Sequence, residues 1–312
     1  MKPLNYGMGW KYNLIAALAL LTGAALAAVE FRSVMQNAEA ASSEEIDSQT
    51  NTSASQSTTT REALTSSVGT ATQNDKLAEC YSALANARKL LTNMDDYSAS
   101  FHLRERLDGK LSDWQRVALR IRHEPFSVRM TWSERGRDAV FVEGKHDNQL
   151  LVAPGGRAAL LGILELDPEG ETAMATSRYP ITSAGMLALV NKLMNYIHPL
   201  LTAPSGMTCE RSSDTCHGEA CDRFDIAYEN ASICDGYAKT IMRFSRSSGL
   251  LMSIENHRFQ TTSRSGTVLA EQYLYTNIEP DVGLSDEDFT LPQNGVIGRF
   301  KAALSGRQAA ND

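Results

Sequence analysis

From Tyr97 to Gly109 the chain reads YSASFHLRERLDG, and the alternation in this stretch decides the fold. Tyr97, Ala99, Phe101, Leu103 and Leu107 share one parity, while Ser98, Ser100, His102, Arg104 and Arg106 share the other. A period of two with one apolar side predicts a strand that buries one face. Glu105 breaks the pattern, because parity puts it on the apolar side. Asp108-Gly109 then predicts a hairpin, since both positions tolerate positive φ. The return strand sets Val117, Leu119 and Ile121 against Arg116, Arg120 and Arg122. A third sets Phe126, Val128, Met130 and Trp132 against Ser127, Arg129 and Thr131.

Working outward, "DAVFVEG" and "NQLLVAPGG" continue the meander, and "CDRFDIAYE", "YAKTIMRFSR", "LLMSIENHRFQ" and "TVLAEQYLYTNIE" read as a second one. Two helices interleave. In "DKLAECYSALANARKLLTNM", Leu77, Tyr81, Leu84, Arg88 and Leu91 follow helical spacing. A second helix is expected from Thr182, as N-cap, to His198, with Met186, Leu189, Val190, Leu193 and Ile197 on one face and Pro199 ending it. This order predicts an α+β fold: one antiparallel sheet of about nine or ten strands with two or three helices on one face. A sheet that large must curl, which makes the expected shape a half-barrel around its helices.

The ends fall outside that unit. Residues 1–29 carry Lys2 and Lys11 ahead of an uncharged run from Leu14 to Val29, with Ala25-Leu26-Ala27 as a small-residue cleavage site. This reads as a signal peptide, with an uncleaved membrane anchor as the alternative, so the remainder is expected to be exported to the periplasm or cell envelope. Ser and Thr dominate residues 30–75, and between 38 and 75 only Ile46, Leu64 and Val68 are large and apolar. Such a segment buries too little to offset an ordering cost of ~1–2 kcal/mol per residue, and it reads as a flexible linker. One domain is left, 76–300, followed by a short flexible tail, 301–312.

The formal net charge of −7 argues against nucleic-acid binding, which draws on a basic surface. Cys209, Cys216, Cys221 and Cys234 cluster, and in an exported chain that favours at least one disulfide among them, with three pairings open. A thiolate metal site is the weaker alternative, because no C-x-x-C pair is present. No G-x-S-x-G, H-E-x-x-H, P-loop or G-x-G-x-x-G occurs, and the six histidines are scattered. Neither catalytic residues nor a cofactor are therefore expected.

Five stretches, "RERLDGKL", "RHEPFSVRMTW", "VFVEGKHDNQLLV", "LDPEGETAMATSRYPIT" and "EQYLYTNIEPDVGLSDEDF", resemble the successive motifs of the bacterial domain-of-unknown-function family 1571. The resemblance runs from about Tyr97 to Phe289. In its order of elements that family is similar to the lipoprotein-localisation carriers of the LolA and LolB type, whose curved sheet holds acyl chains against its helices. The resemblance thus implies a non-enzymatic carrier of a lipid or lipoprotein acyl chain.

Three groups of residues become candidates on this reading. Phe101, Leu103, Phe126, Met130, Met186, Leu189, Leu193 and Met194 are expected to face an apolar cleft, because methionine adapts to variable ligands. The stretch from Asp167 to Met186 reads first as a connector onto the concave face and second as a cavity rim, with Arg178 near the mouth. Arg104, Arg106, Arg116, Arg120, Arg122 and Arg129 fall on the polar side of three neighbouring strands. They are expected to form a basic face that awaits an anionic membrane surface or another envelope protein, unless acids from elsewhere pair with them. Docking through that face, as a scaffold or sensor, is the alternative function.

Overall fold

The computed structural model describes residues 72–202, 205–260 and 266–291. The expected leader, the linker as far as residue 71 and the tail 301–312 lie outside them. Helix α1 (Gln73–Thr92) is followed by β1 (Asp96–Leu107), β2 (Lys110–Leu111), β3 (Gln115–Arg122), β4 (Ser127–Trp132), β5 (Arg137–Val142), β6 (Leu150–Ala153) and β7 (Leu164–Leu166). A strap with the short helix α2 (Glu171–Met174) leads into α3 (Met186–Thr202). Five longer strands follow: β8 (Met207–Cys216), β9 (Glu219–Tyr228), β10 (Tyr237–Ser245), β11 (Leu251–Phe259) and β12 (Thr267–Pro280).

All twelve strands join one antiparallel, open, curved sheet ordered β7-β6-β5-β4-β3-β1-β12-β11-β10-β9-β8, with β2 paired to β1. The half-barrel is thus as expected, with two or three more strands, the extra ones being pieces of two and three residues. Asp108 and Gly109 have φ of 47° and 77°, as the hairpin reading required. The two meanders meet where the first strand pairs with the last, from Tyr97 opposite Pro280 to Glu105 opposite Glu271.

The concave face carries the main core. Tyr97, Phe101, Val117, Leu119, Ile121 and Val128 pack with Leu77, Leu84 and Leu91 of α1 and Met186, Val190 and Ile197 of α3. Parity along β1 and β3 is what delivers the sheet's share. The face of α1 is corrected in detail: Cys80 and Ala87 are buried on it, whereas Arg88 is exposed and Tyr81 only partly covered. Thr72 caps this helix through a reciprocal pair of bonds with Asp75, so the helix itself begins slightly before residue 76.

The second helix also departs from expectation at both ends. Thr182 lies in a short 3-10 turn, Ile181–Ser183, and α3 starts only after Gly185. Gly185 has φ of 98°, and a Cβ there would meet the Tyr97 hydroxyl at 2.9 Å. The same hydroxyl accepts the Met186 N–H at 2.9 Å and satisfies one open donor of the helix start. At the other end Pro199 sits inside α3 and does not stop it. Its fixed φ suits a helix, and this late in the helix it forfeits one backbone hydrogen bond.

A smaller cluster lies on the convex side, where Phe289 and Leu291 cover Val140, Val142 and Leu151. Asp96, buried at the start of β1, accepts the N–H groups of Gly283 and Leu284 and ties this C-terminal segment down.

Replacing Gly185 with Ala is expected to destabilise the fold by ~1–3 kcal/mol, the usual cost of a side chain held in a sparsely populated backbone region. Urea unfolding measures it, and an unchanged midpoint would show that the turn relaxes freely.

Candidate functional site

Between the concave face and the lid made by the strap and α3 lies a cavity of about 430 Å³. Its walls are mainly apolar, with Phe101, Leu103, Met130, Trp132 and Val152 from the sheet and Leu189 and Leu193 from α3. Pro168, Met174, Tyr179 and Ile181 of the strap close it from above. The stretch from Asp167 to Met186 is therefore both connector and wall. A wider groove beside α1 is lined by Glu79, Arg211, Asp222 and Arg246, which pair with one another, and it offers no comparable apolar wall.

Of the residues expected at the cleft, Phe101, Leu103, Met130, Leu189 and Leu193 line the cavity, whereas Phe126, Met186 and Met194 do not. Phe126 precedes β4 and packs near Phe141. Met186 and Met194 fall in a stripe with Val190 and Ile197 that is buried in the core. Much of the methionine excess on this helix thus fills the interior.

Arg178 points down from the strap into a polar cluster under the lid. Its Nε donates to Glu271 at 2.6 Å, its backbone N–H to Glu105 at 3.1 Å, and its Nη1 to the Arg106 carbonyl at 3.1 Å. Glu105 and Glu271 stand opposite each other across the β1–β12 seam, both at most 4 % exposed. Glu271 also accepts the hydroxyls of Tyr179 and Tyr237, each at 2.9 Å, and the side-chain amide of Asn256 at 2.7 Å. Tyr273 donates to Glu105. The strand parity of Glu105 was visible in the sequence, but nothing local showed that Glu271 would be its register partner.

Burial sets the protonation of this cluster. It raises the Glu105 carboxyl above its ordinary range, with bonds from Tyr273 and Arg178 opposing. Burial works against charge on Arg178, but Glu271 and the neighbouring tyrosines outweigh it and hold the guanidinium protonated. The Tyr237 phenol is pushed up to about 12 by burial and by Glu271, so it remains a donor at neutral pH. Lys192 lies across the Tyr179 ring at 3.6 Å, and burial lowers its pKa. The tyrosines, Asn256 and Arg178 are therefore committed to satisfying the two carboxylates. Among the described residues no group of three or more His, Cys, Asp and Glu is placed to hold a metal.

Three of the six convex arginines pair with acids, which corrects the expectation of a free basic face. Arg120 reaches Asp288 at 3.1 Å, Arg122 reaches Asp286 at 2.9 Å, and Arg129 lies 3.5 Å from Asp138. Asp286 and Asp288 arrive on the C-terminal segment, whose path over β3–β5 the sequence did not reveal. Arg104 bonds to Gln272 and Arg106 to backbone carbonyls, while Arg116 is exposed.

The expected disulfide is corrected too: all five cysteines are free thiols. Cys209 faces Ile226 in the core, whereas Cys216 has the opposite parity on the same strand. Cys221, opposite Asp214, shares that outward parity but is offset from Cys216, whose register partner is Glu219. Among the described residues no helix is long and apolar enough to cross a membrane.

The model of a family described as "Protein of unknown function (DUF1571)" matches residues 94–295. No curated protein matches the chain in sequence. Among solved structures, the Mycobacterium tuberculosis lipoprotein LppX is similar at 11% identity and a TM-score of 0.38, covering 67% of this chain and 98% of its own. A DUF1329 family protein from Desulfovibrio piger is similar at 10% identity and 0.34, covering 69% and 97%. A LolA superfamily protein from Nitrosomonas europaea is similar at 10% and 0.21, covering 67% and 96%. None of the three bears on what this chain binds.

Two substitutions separate the roles of the paired carboxylates. Glu271→Gln breaks the Arg178 pair and should cost about 3 kcal/mol, the low end for a buried ion pair because the Arg178 side chain keeps 17 % of its exposure. For Glu105 the folded pKa lies above the unfolded one, so its contribution is fully present at acid pH and is lost as pH rises through the folded value. Wild-type stability relative to Glu105→Gln should therefore fall as the pH rises above the ordinary carboxylate range. A difference independent of pH in urea titrations would contradict this assignment.

Proposed function

The chain belongs to the DUF1571 family, and from that premise we propose that it is an exported, non-enzymatic envelope protein that holds an acyl chain of a lipid or lipoprotein. The observation that carries this reading is the cavity of about 430 Å³, walled by apolar side chains of a curved sheet and closed by a strap and a helix. Its volume lies within the roughly 300–1,000 Å³ of small-molecule sites. A protein that served only as a scaffold would have no use for such a space, since voids in a core forfeit packing. Each methylene transferred from water into the cavity contributes ~0.8 kcal/mol, so an acyl chain gains enough to offset its own ordering. The N-terminal leader read from the sequence supports delivery to the periplasm or envelope.

The direct test is mass spectrometry of lipids that co-purify with the protein from its native envelope. Leu193 lines the cavity and is 6 % exposed, so Leu193→Trp pushes an indole into it. Displacing two methylenes of a bound chain removes ~1.6 kcal/mol, which predicts at least about a tenfold weaker affinity for a fluorescent fatty acid while the melting transition survives. Failure of the wild-type protein to bind any such probe would overturn the proposal.

A further inference from the structure

Arg137 opens β5 directly opposite Trp132, the last residue of β4, so both side chains are on the concave face. Both line the cavity. The guanidinium lies over the Trp132 ring, with Cζ 3.8 Å from its centroid. Among the described residues no carboxylate lies within 4.0 Å of it, and its Nε is buried without a hydrogen-bond partner. Arg122 and Arg258 also bury an Nε without a partner, but their other nitrogens reach Asp286 and Asp235. Arg137 makes no such contact.

Leaving a half-buried cation unpaired is costly, and a protein site normally supplies an acid or a bound anion. The cavity's own carboxylates are not available. Glu105 and Glu271 are held by Arg178 and the tyrosines, and β12 lies four strands from β5 in the sheet. At ~4.8 Å per strand that is about 19 Å along the curved face for Glu271, and about 14 Å for Glu105 on β1, three strands away. Burial and the nearby Arg135 lower the Arg137 pKa to about 10, which leaves the group charged at neutral pH. The cavity thus has two unlike ends: at one the carboxylates are offset by Arg178, with Lys192 beside them over Tyr179, and at the other a guanidinium without an acid stands against an apolar wall and attracts an anion. A guanidinium takes carboxylate or phosphate oxygens through paired N–H donors.

We propose that Arg137 anchors the anionic end, carboxylate or phosphate, of a single amphiphile whose hydrocarbon chain occupies the cavity. This rests on the acyl-binding reading above and narrows its ligand class to acidic lipids, with uncharged acylglycerols disfavoured.

The test uses the purified protein loaded with N-phenylnaphthylamine, an uncharged apolar fluorophore, and competes it with palmitate, lysophosphatidate or monopalmitoylglycerol. Palmitate, lysophosphatidate or both should displace the fluorophore at about one-tenth the concentration of the uncharged lipid or less, as a charge-assisted hydrogen bond implies. Whichever acid shows the preference identifies the head-group chemistry. Arg137→Met keeps an apolar contact with Trp132 and should abolish the preference while leaving fluorophore binding intact, whereas Arg137→Lys should retain part of it. Equal competition by all three lipids in the wild type, or a preference that survives in a folded Arg137→Met protein, overturns the assignment of Arg137 alone. If neither fluorophore nor lipid binds, the acyl-binding reading falls with it.

Discussion

Two carboxylates face each other at the seam of the sheet, and the rest of the site depends on how their charge is accommodated. Glu105 of β1 and Glu271 of β12 are direct register partners on a buried face. Like charges opposed in an antiparallel pair repel, and burial removes the water that would screen them. The structure answers with Arg178, whose side chain meets one carboxylate while its backbone N–H meets the other. Tyr179, Tyr237, Tyr273 and Asn256 take up the remaining acceptor capacity. Because Arg178 belongs to the strap, satisfying this pair also draws the strap down over the concave face. The lid is held by a polar lock beneath an otherwise apolar roof.

That lock explains why a space remains. The strap and α3 meet the sheet at the polar cluster and at the packed stripe of Met186, Val190 and Ile197. Between those two attachments the curved sheet falls away from the helix, and Leu189 and Leu193 look across at Phe101, Met130 and Val152 without filling the distance. An open sheet with β7 and β8 as edges can curl by this amount without closing on itself. The cavity is therefore a product of curvature and of where the strap is pinned.

Charge on the convex side follows a separate logic. The segment after β12 is tied to Asp96 at the start of β1 and lies across β5 and β6, where Phe289 and Leu291 are buried. It brings Asp286 and Asp288 to Arg122 and Arg120, so much of a basic stripe is neutralised by residues about 160 positions away in the chain. Arg137 stands on the other face, against the cavity wall and its Trp132, with no acid brought to it.

Strand parity, the Asp108-Gly109 turn and the spacing in α1 were legible because they depend on neighbours in the chain. From them came the two meanders, the curved sheet and five of the eight apolar residues expected at the cleft. Helix ends were less legible, because Gly185 is dictated by the approach of Tyr97 and Pro199 is tolerated within α3 by its place near the helix end. The register of β1 on β12, the fall of Asp286 and Asp288 on the arginines, and the parity that separates Cys209 from Cys216 all depend on which distant residues become neighbours. Local periodicity fixes which side of a strand a residue occupies. What stands opposite it is decided only when the sheet closes its long-range pairs, and so the sequence could mark Glu105 as misplaced while only the fold supplied Glu271 and Arg178 to account for it.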